Sequence, residues 1–491
     1  MKKEENKIGL VGATAYIVGS IIGSGIFIAP KGIVEHAGSV GLSLIIWVLC
    51  ALLNMITAIN YIELGTSIPE SGADLAYIGY MGWTPIAFSF LWLSILIQSS
   101  SSGAVLFMTF GDYIVQALDP IVCFDDYGRS NASKLFGFGL LLVLTLTNMF
   151  SLSKFASKVQ IVSMASKIVA TAFIIGIGAF FMIFRGRTEH YAPSVIMQGT
   201  NANAGAIVLA IYQGNWAYGG YTTLNFGTEE IQIKNFRKTL PRAVLGGLAI
   251  SSVIYLLVNV AYFAILTPSQ INNSSAVATT FIQQTVGNGP AFAVPAVVGL
   301  LLVGTLNGDI FGWSRYMVAG ARRGMMPTAF SLIHADNDSP RVSVLTHTIF
   351  CIGFSFLGDT DQLVNYLTVT GIMTTIFSLA ALVIIKWKNM PVAKDPVKFH
   401  IAWPILNILI NVALLVIPIQ QDPVTSAVGF GMFIGGIVAY FIMKFATHYS
   451  TVFTKLDEWT TFVCQVFFWT VVDSGSRIEI QTEEEKQTTR M

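Results

Sequence analysis

Twelve apolar stretches follow one another along this 491-residue chain, at about 8–29, 40–66, 83–118, 134–150, 159–184, 204–230, 241–266, 290–321, 341–357, 362–386, 401–418 and 424–445. At about 1.5 Å of rise per residue, stretches of this kind cross a hydrocarbon layer roughly 30 Å thick. With no water there to satisfy the backbone, runs this long must be helices. We number them segments 1 to 12. The expected fold is an all-α integral membrane protein of twelve transmembrane helices in contact with lipid, with a short tail at 1–7, a twelve-helix domain at 8–445 and a second tail at 446–491.

Composition narrows the function. Hydrophobic residues make up 54% and charged residues 11%, where a soluble domain carries about 25% charged residues. An ordinary soluble enzyme and a disordered scaffold are both excluded. A net charge of +1 without a basic run leaves no footprint for nucleic acid. Four scattered cysteines (Cys50, Cys123, Cys351, Cys464) are too few for a disulfide framework or a zinc site. The segment interiors show no paired histidine and acidic residue for metal or acid–base chemistry, so neither a cofactor nor an enzyme is expected. They also lack the repeated rings of like charge that a channel uses. Residues Met1 to Lys7 lead straight into segment 1 with no cleavage-site pattern.

Orientation follows from Lys and Arg, which gather on the cytosolic side of membrane proteins. With the N-terminus inside, 22 of the 28 fall in inner segments and five outside, while Lys167 lies within a segment. Both termini are therefore expected in the cytosol. The sequons at Asn131, Asn272 and Asn273 then fall outside, as glycan acceptors would. Cys123 is the only outer-side cysteine, and a leftover cysteine in oxidising surroundings suggests an intermolecular disulfide.

Two segments do not read as simple rods. Segment 1 holds Gly19-Ser-Ile-Ile-Gly-Ser-Gly25 and segment 6 holds Trp216-Ala-Tyr-Gly-Gly-Tyr221. Each interior glycine costs about 0.8 to 1 kcal/mol in a helix, although glycine also allows membrane helices to pack closely. Segments 1 and 6 occupy corresponding places in two five-segment units, 8–184 and 204–386, with 401–445 added. An odd number of crossings makes the two units run in opposite directions. Interrupted helices at matching places in inverted repeats point to a transporter's binding site.

The motifs Gly19 to Phe27, Glu63-Leu-Gly, Ser71-Gly-Ala-Asp74, Ala217-Tyr-Gly-Gly, Thr228-Glu-Glu230, Leu240-Pro-Arg242 and Ser314-Arg315 through Gly324 with Pro327 occur in register over nearly the whole chain. In these residues the chain resembles the light subunits of heteromeric amino acid transporters, the L-type exchangers above all, within the amino acid, polyamine and organocation superfamily. The resemblance implies a leucine-transporter-like fold, with helices 1 and 6 broken, that exchanges amino acids across the plasma membrane without sodium. It places the substrate carboxylate on backbone N–H groups of Ser24 and Gly25 after Gly23. The ammonium goes to carbonyls of Ile21, Trp216, Ala217 and Gly219, and Trp216 becomes the outer gate. Such an arrangement matches a zwitterion to half-helix ends without a buried charged side chain.

The resemblance also bears on specificity. Relatives that take cationic amino acids tend to carry an acidic residue after the gate, whereas Gly219 to Thr222 is uncharged, which argues for neutral substrates. Small walls at Ser102, Leu106 and Leu367, with Val369, Gly371 and Ile372, imply a roomy apolar pocket; the same residues would also serve simply to pack a core. Lys167 matches a lysine whose ammonium stands where sodium-coupled members of the fold bind their ion. Asp309 departs from the family, and is expected to pair with Lys167, to carry a proton, or to face water near the inner vestibule. Cys123 matches, within a residue, the cysteine that joins a single-span heavy-chain glycoprotein, although the loop beyond it is longer than usual. In the C-terminal tail, Phe462 to Val472 is too short to span and reads as an interfacial helix. The ending Thr489-Arg-Met491 suits a scaffold domain that captures a free C-terminus.

Overall fold

The computed structural model describes residues 9–472, apart from 71, 119–120, 151–152, 227–234, 275, 288–292, 336–338, 421 and 450. Both chain ends, including the C-terminal motif, and Thr228 to Glu230 therefore lie outside the described residues. Several helix starts coincide with side chains that satisfy the free N–H groups of a first turn. Asp125 Oδ1 accepts from Gly128 N at 3.0 Å, and Asn203 and Asp359 each accept an N–H at 2.9 Å. The Asp125 cap starts the helix of segment 4 at Asp126, eight residues before the apolar stretch, so Asn131 sits on that helix rather than in a loop.

Among the described residues, nine helices are long and apolar enough to cross a membrane, and the bent pair Leu10–Ile21 and Gly25–Ala37 makes a tenth. Segments 6 and 9 contain Ala204–Ala217 and Arg341–Phe354, each of 14 residues. A helix of that length rises only about 21 Å, short of a bilayer core on its own. Segment 3 is continuous from Thr84 to Leu118 but passes through a π-helical stretch, Ser94–Ser99.

Packing repeats itself between the two five-segment units. Segment 5 lies on segment 8 as segment 10 lies on segment 3, segment 1 on 7 as 6 on 2, and segment 4 on 8 as 9 on 3. Exchanging each segment for its counterpart in the other unit, 1 with 6, 2 with 7, 3 with 8, 4 with 9 and 5 with 10, turns one set of neighbours into the other, as an internal repeat requires. Segments 1 and 6 pack against each other at the centre of this pattern.

The C-terminal tail corrects one expectation. Thr451–Phe468 is a helix, but Thr470–Val472 is a strand, β2, paired antiparallel with β1, Leu332–His334, from the connection between segments 8 and 9. Asp457 accepts both the N–H and the hydroxyl of Thr328, at 3.0 and 2.7 Å, and fixes the tail helix beside that connection. An apolar stretch read by itself cannot reveal a strand partner that lies far away in the chain.

A candidate substrate site at two helix breaks

Segment 1 loses its helix at Ile22 and regains it at Gly25, with a bend of 47°. Ile22 N still donates to Val18 O at 2.8 Å and Gly23 N turns back to Ile21 O at 2.7 Å. The next backbone bonds are Phe27 N and Ile28 N to Ser24 O, at 2.9 and 3.2 Å. The N–H groups of Ser24, Gly25 and Ile26 are thus the open donors of a new helix N-terminus, a site suited to an anion.

Segment 6 breaks after Ala217 and resumes for Thr223–Phe226. Gly219 N returns to Trp216 O at 3.0 Å, and Gly220 takes a φ of +104°, a left-handed conformation that glycine adopts without strain. The two breaks are in contact. A Cβ on Gly25 would lie 2.7 Å from Ala217 Cα, and one on Gly220 would lie 2.6 Å from Ser20 O. Only hydrogen at these positions lets the two backbones approach so closely.

A residue that the sequence did not single out joins the breaks. Tyr255 Oη of segment 7 stands 2.6 Å from Ile21 O and 2.8 Å from Ala217 O, the carbonyls that end the two half-helices. Its ring is fully buried and is held by Trp47 and Tyr218, with centroids at 5.3 and 5.1 Å. In an apolar run nothing distinguishes it from the buried Tyr262, one of several tyrosines in such runs.

Of the expected site residues, Ile21, Gly23, Ser24, Gly25, Ala217 and Gly219 gather at the paired breaks. Trp216 and Thr222 are half-buried beside them. On segment 8, Thr305 Cγ2 would lie 3.9 Å from a Cβ on Gly23. Leu106 is packed into the core at 2% exposure, and Ser102 and Leu367 are half-buried. The site offers backbone donors from one half-helix and carbonyls from two, and no charged side chain is among these residues. Chemically it can hold a zwitterion, and it has no group to transform one.

Lys167 and Asp309 do not meet. Lys167 is 5% exposed and its Nζ donates to Gly19 O at 3.4 Å, tying segment 5 to segment 1. Asp309 instead accepts Ser102 Oγ at 2.9 Å and Trp313 Nε1 at 3.1 Å, and faces His347 Nε2 at 3.5 Å. The expected Lys167 partnership is therefore corrected. So is the reading that no histidine and acidic residue pair within the interior, because Asp309 and His347 come together from separate segments. The cost of burying an ionisable side chain in a span, already applied to Lys167, would have flagged His347 too.

Cys123 is an exposed free thiol. Asn131 and Asn273 are exposed, while Asn272 is half-buried with an Oδ1 that has no hydrogen-bond partner among the described residues.

Comparison with known proteins agrees with this architecture. A family model described as amino acid permease matches residues 8–447. Amino acid transporter protein 6 of Caenorhabditis elegans is 40% identical over 89% of this chain and 82% of its own length. Human large neutral amino acids transporter small subunit 2 is 33% identical over 99% and 89%, and mouse Asc-type amino acid transporter 1 is 33% identical over 91% and 82%.

Proposed function

The chain belongs to the amino acid permease family, and from that premise we propose that it carries neutral L-amino acids, large apolar or aromatic ones above all, across the plasma membrane by sodium-independent obligatory exchange. The observation that carries this reading is the pair of touching helix breaks. Open N–H groups of Ser24 and Gly25 take the carboxylate, and carbonyls of Ile21, Trp216, Ala217 and Gly219 take the ammonium. A half-helix end carries about half an elementary charge of the required sign, so neither end of the substrate needs a charged partner. The uncharged stretch Gly219 to Thr222 favours a neutral side chain, as do relatives named for large neutral amino acids. Leu106 and Leu367 form its apolar wall with the small Ser102 beside them, and Trp216 closes over it from outside.

Twelve crossings with both termini in the cytosol complete the reading, supported by the 22 to five distribution of Lys and Arg. Lys167 supplies in place the charge for which sodium-coupled relatives of the fold use an ion. Its ammonium on Gly19 O steadies the approach to the break of segment 1. Two cations in one small low-dielectric cavity repel strongly. Uptake of labelled leucine should therefore persist when external sodium is replaced by choline, and unlabelled neutral amino acids should compete with it while lysine and glutamate do not. A fall to background in choline would overturn the role given to Lys167, and competition by lysine would overturn the neutral pocket.

Cys123, exposed on the outer side of this orientation, links the chain to a single-span heavy-chain glycoprotein. On a non-reducing gel of its natural membranes the wild type should run as a reducible high-mass band that Cys123→Ser removes. Absence of that band from the wild type would exclude the covalent partner. The exposed sequons at Asn131 and Asn273 are candidate glycan sites, together with the half-buried Asn272; an enzymatic deglycosylation that leaves gel mobility unchanged would remove them.

A further inference from the structure

Asp309 of segment 8 and His347 of segment 9 form a buried pair whose two carboxylate oxygens are treated differently. Oδ1 accepts the Ser102 hydroxyl at 2.9 Å and the Trp313 indole N–H at 3.1 Å. Oδ2 is buried with no hydrogen bond among the described residues, and His347 Nε2 lies 3.5 Å from it. The imidazole is 0% exposed and the carboxylate side chain 12%. Among the described residues, the ionisable groups beside His347 are Asp309 and Cys351, whose Sγ is 3.6 and 3.7 Å from the ring nitrogens. From segment 5, Lys167 directs its ammonium at Gly19 O. From segment 3, Asp112 is engaged by Ser133 at 2.6 Å. Segment 4 faces segments 8 and 9 with Asn148, bonded to Asn307 at 2.8 Å, and Thr145, bonded to Thr348 at 2.6 Å. Farther along segment 8, Arg315 lies over the Phe311 ring and Tyr316 stacks edge-on with Trp313.

A buried carboxylate beside a neutral imidazole leaves one negative charge uncompensated, which is costly in a low-dielectric interior. One proton between Oδ2 and Nε2 removes that charge, and the unbonded Oδ2 facing Nε2 leaves room for it. The pair is also connected to the substrate site by two routes. Ser102 is held on Oδ1. Thr305 is one helical turn before Asp309 on the same face of segment 8 and packs beside Gly23 in the break.

We propose that Asp309 and His347 form a proton-binding site linked to substrate binding through Ser102. The proton enters from solvent and comes to lie between Oδ2 and Nε2. It draws the carboxylate's charge towards the imidazole, so Oδ1 holds Ser102 less firmly and the hydroxyl is released towards the bound amino acid. On substrate release the proton returns to solvent. Linkage is reciprocal: if the proton favours substrate, substrate binding takes up a proton. Affinity therefore rises on acidification. The link to affinity rests on the amino acid site proposed above, whereas protonation of the pair can be read without any substrate.

Equilibrium binding of labelled leucine to the purified full chain in lipid nanodiscs tests the link. In the wild type the Kd should fall several-fold from mildly alkaline to mildly acidic buffer, and adding unlabelled leucine to lightly buffered protein should consume protons. Asp309→Asn and His347→Gln should each flatten the pH dependence and abolish proton uptake. Leucine binding with a pH-independent Kd in the wild type would overturn the linkage while leaving the amino acid site standing, and so would a pH dependence retained by both variants. Infrared difference spectra on acidification give a separate readout, an imidazolium ring band that His347→Gln removes, accompanied by a shift of the Asp309 carboxylate stretch that Asp309→Asn removes. The same band should appear even if leucine proves not to bind at any pH, a result that would overturn the substrate reading instead. A wild type without the band would overturn the proton site.

Discussion

Tyr255 has one hydroxyl hydrogen and two carbonyls within reach, Ile21 O at 2.6 Å and Ala217 O at 2.8 Å. A carbonyl oxygen has two lone pairs, so each can hold the tyrosine and still receive a hydrogen from a substrate ammonium. Tyr255→Phe keeps the ring in its aromatic cage and removes only the hydroxyl. Losing one net hydrogen bond costs about 0.5–1.5 kcal/mol, so leucine kcat/KM should fall by up to about tenfold, with surface expression unchanged. Gly25→Val is the harsher change, because its Cβ would fall 2.7 Å from Ala217 Cα and separate the two breaks. It should reach the cell surface and transport nothing. Wild-type kinetics for both variants would remove the breaks from the binding account. The glycines were legible in the sequence because their cost inside a helix needs a reason. Tyr255 was not, since its importance comes from two carbonyls that only the fold brings together.

At the scale of elements, the broken segments 1 and 6 were readable because interruptions fall at matching places in two units. The π-helical stretch Ser94–Ser99 was not readable, since its composition is that of an ordinary apolar helix. It immediately precedes the turn that carries Ser102 towards Asp309, and single π turns often occur at functional sites. Long-range ion pairs were equally hidden. Glu63, quoted only as part of a motif in segment 2, receives Lys386 Nζ of segment 10 on both carboxylate oxygens, at 2.6 and 2.7 Å, and also accepts Phe399 N at 3.1 Å. Their side chains are 4% and 15% exposed. Glu63→Gln leaves a buried ammonium without its counter-charge, a loss on the order of 3–5 kcal/mol. It should lower the melting temperature of the purified protein, and the double change Glu63→Gln with Lys386→Met should restore part of the loss. A double variant no more stable than Glu63→Gln alone would mean that the two residues are not coupled.

For the whole molecule, the shared packing pattern of segments 1–5 and 6–10 makes two similar halves that meet at the broken helices. A site at that meeting point can open to either side by rocking one set of segments against the other, which is alternating access. Most of this architecture was present in the sequence as apolar length, charge asymmetry and glycine placement. What was absent depends on neighbours remote in the chain: the pairing of Leu332–His334 with Thr470–Val472, and of Asp309 with His347. Exchange of neutral amino acids through the paired breaks can be read in efflux. Cells or proteoliposomes are preloaded with labelled leucine and placed in sodium-free medium, with or without unlabelled leucine outside. Efflux should be slow into amino-acid-free medium and several-fold faster when external leucine is present. Rapid efflux that is indifferent to external amino acid would contradict exchange.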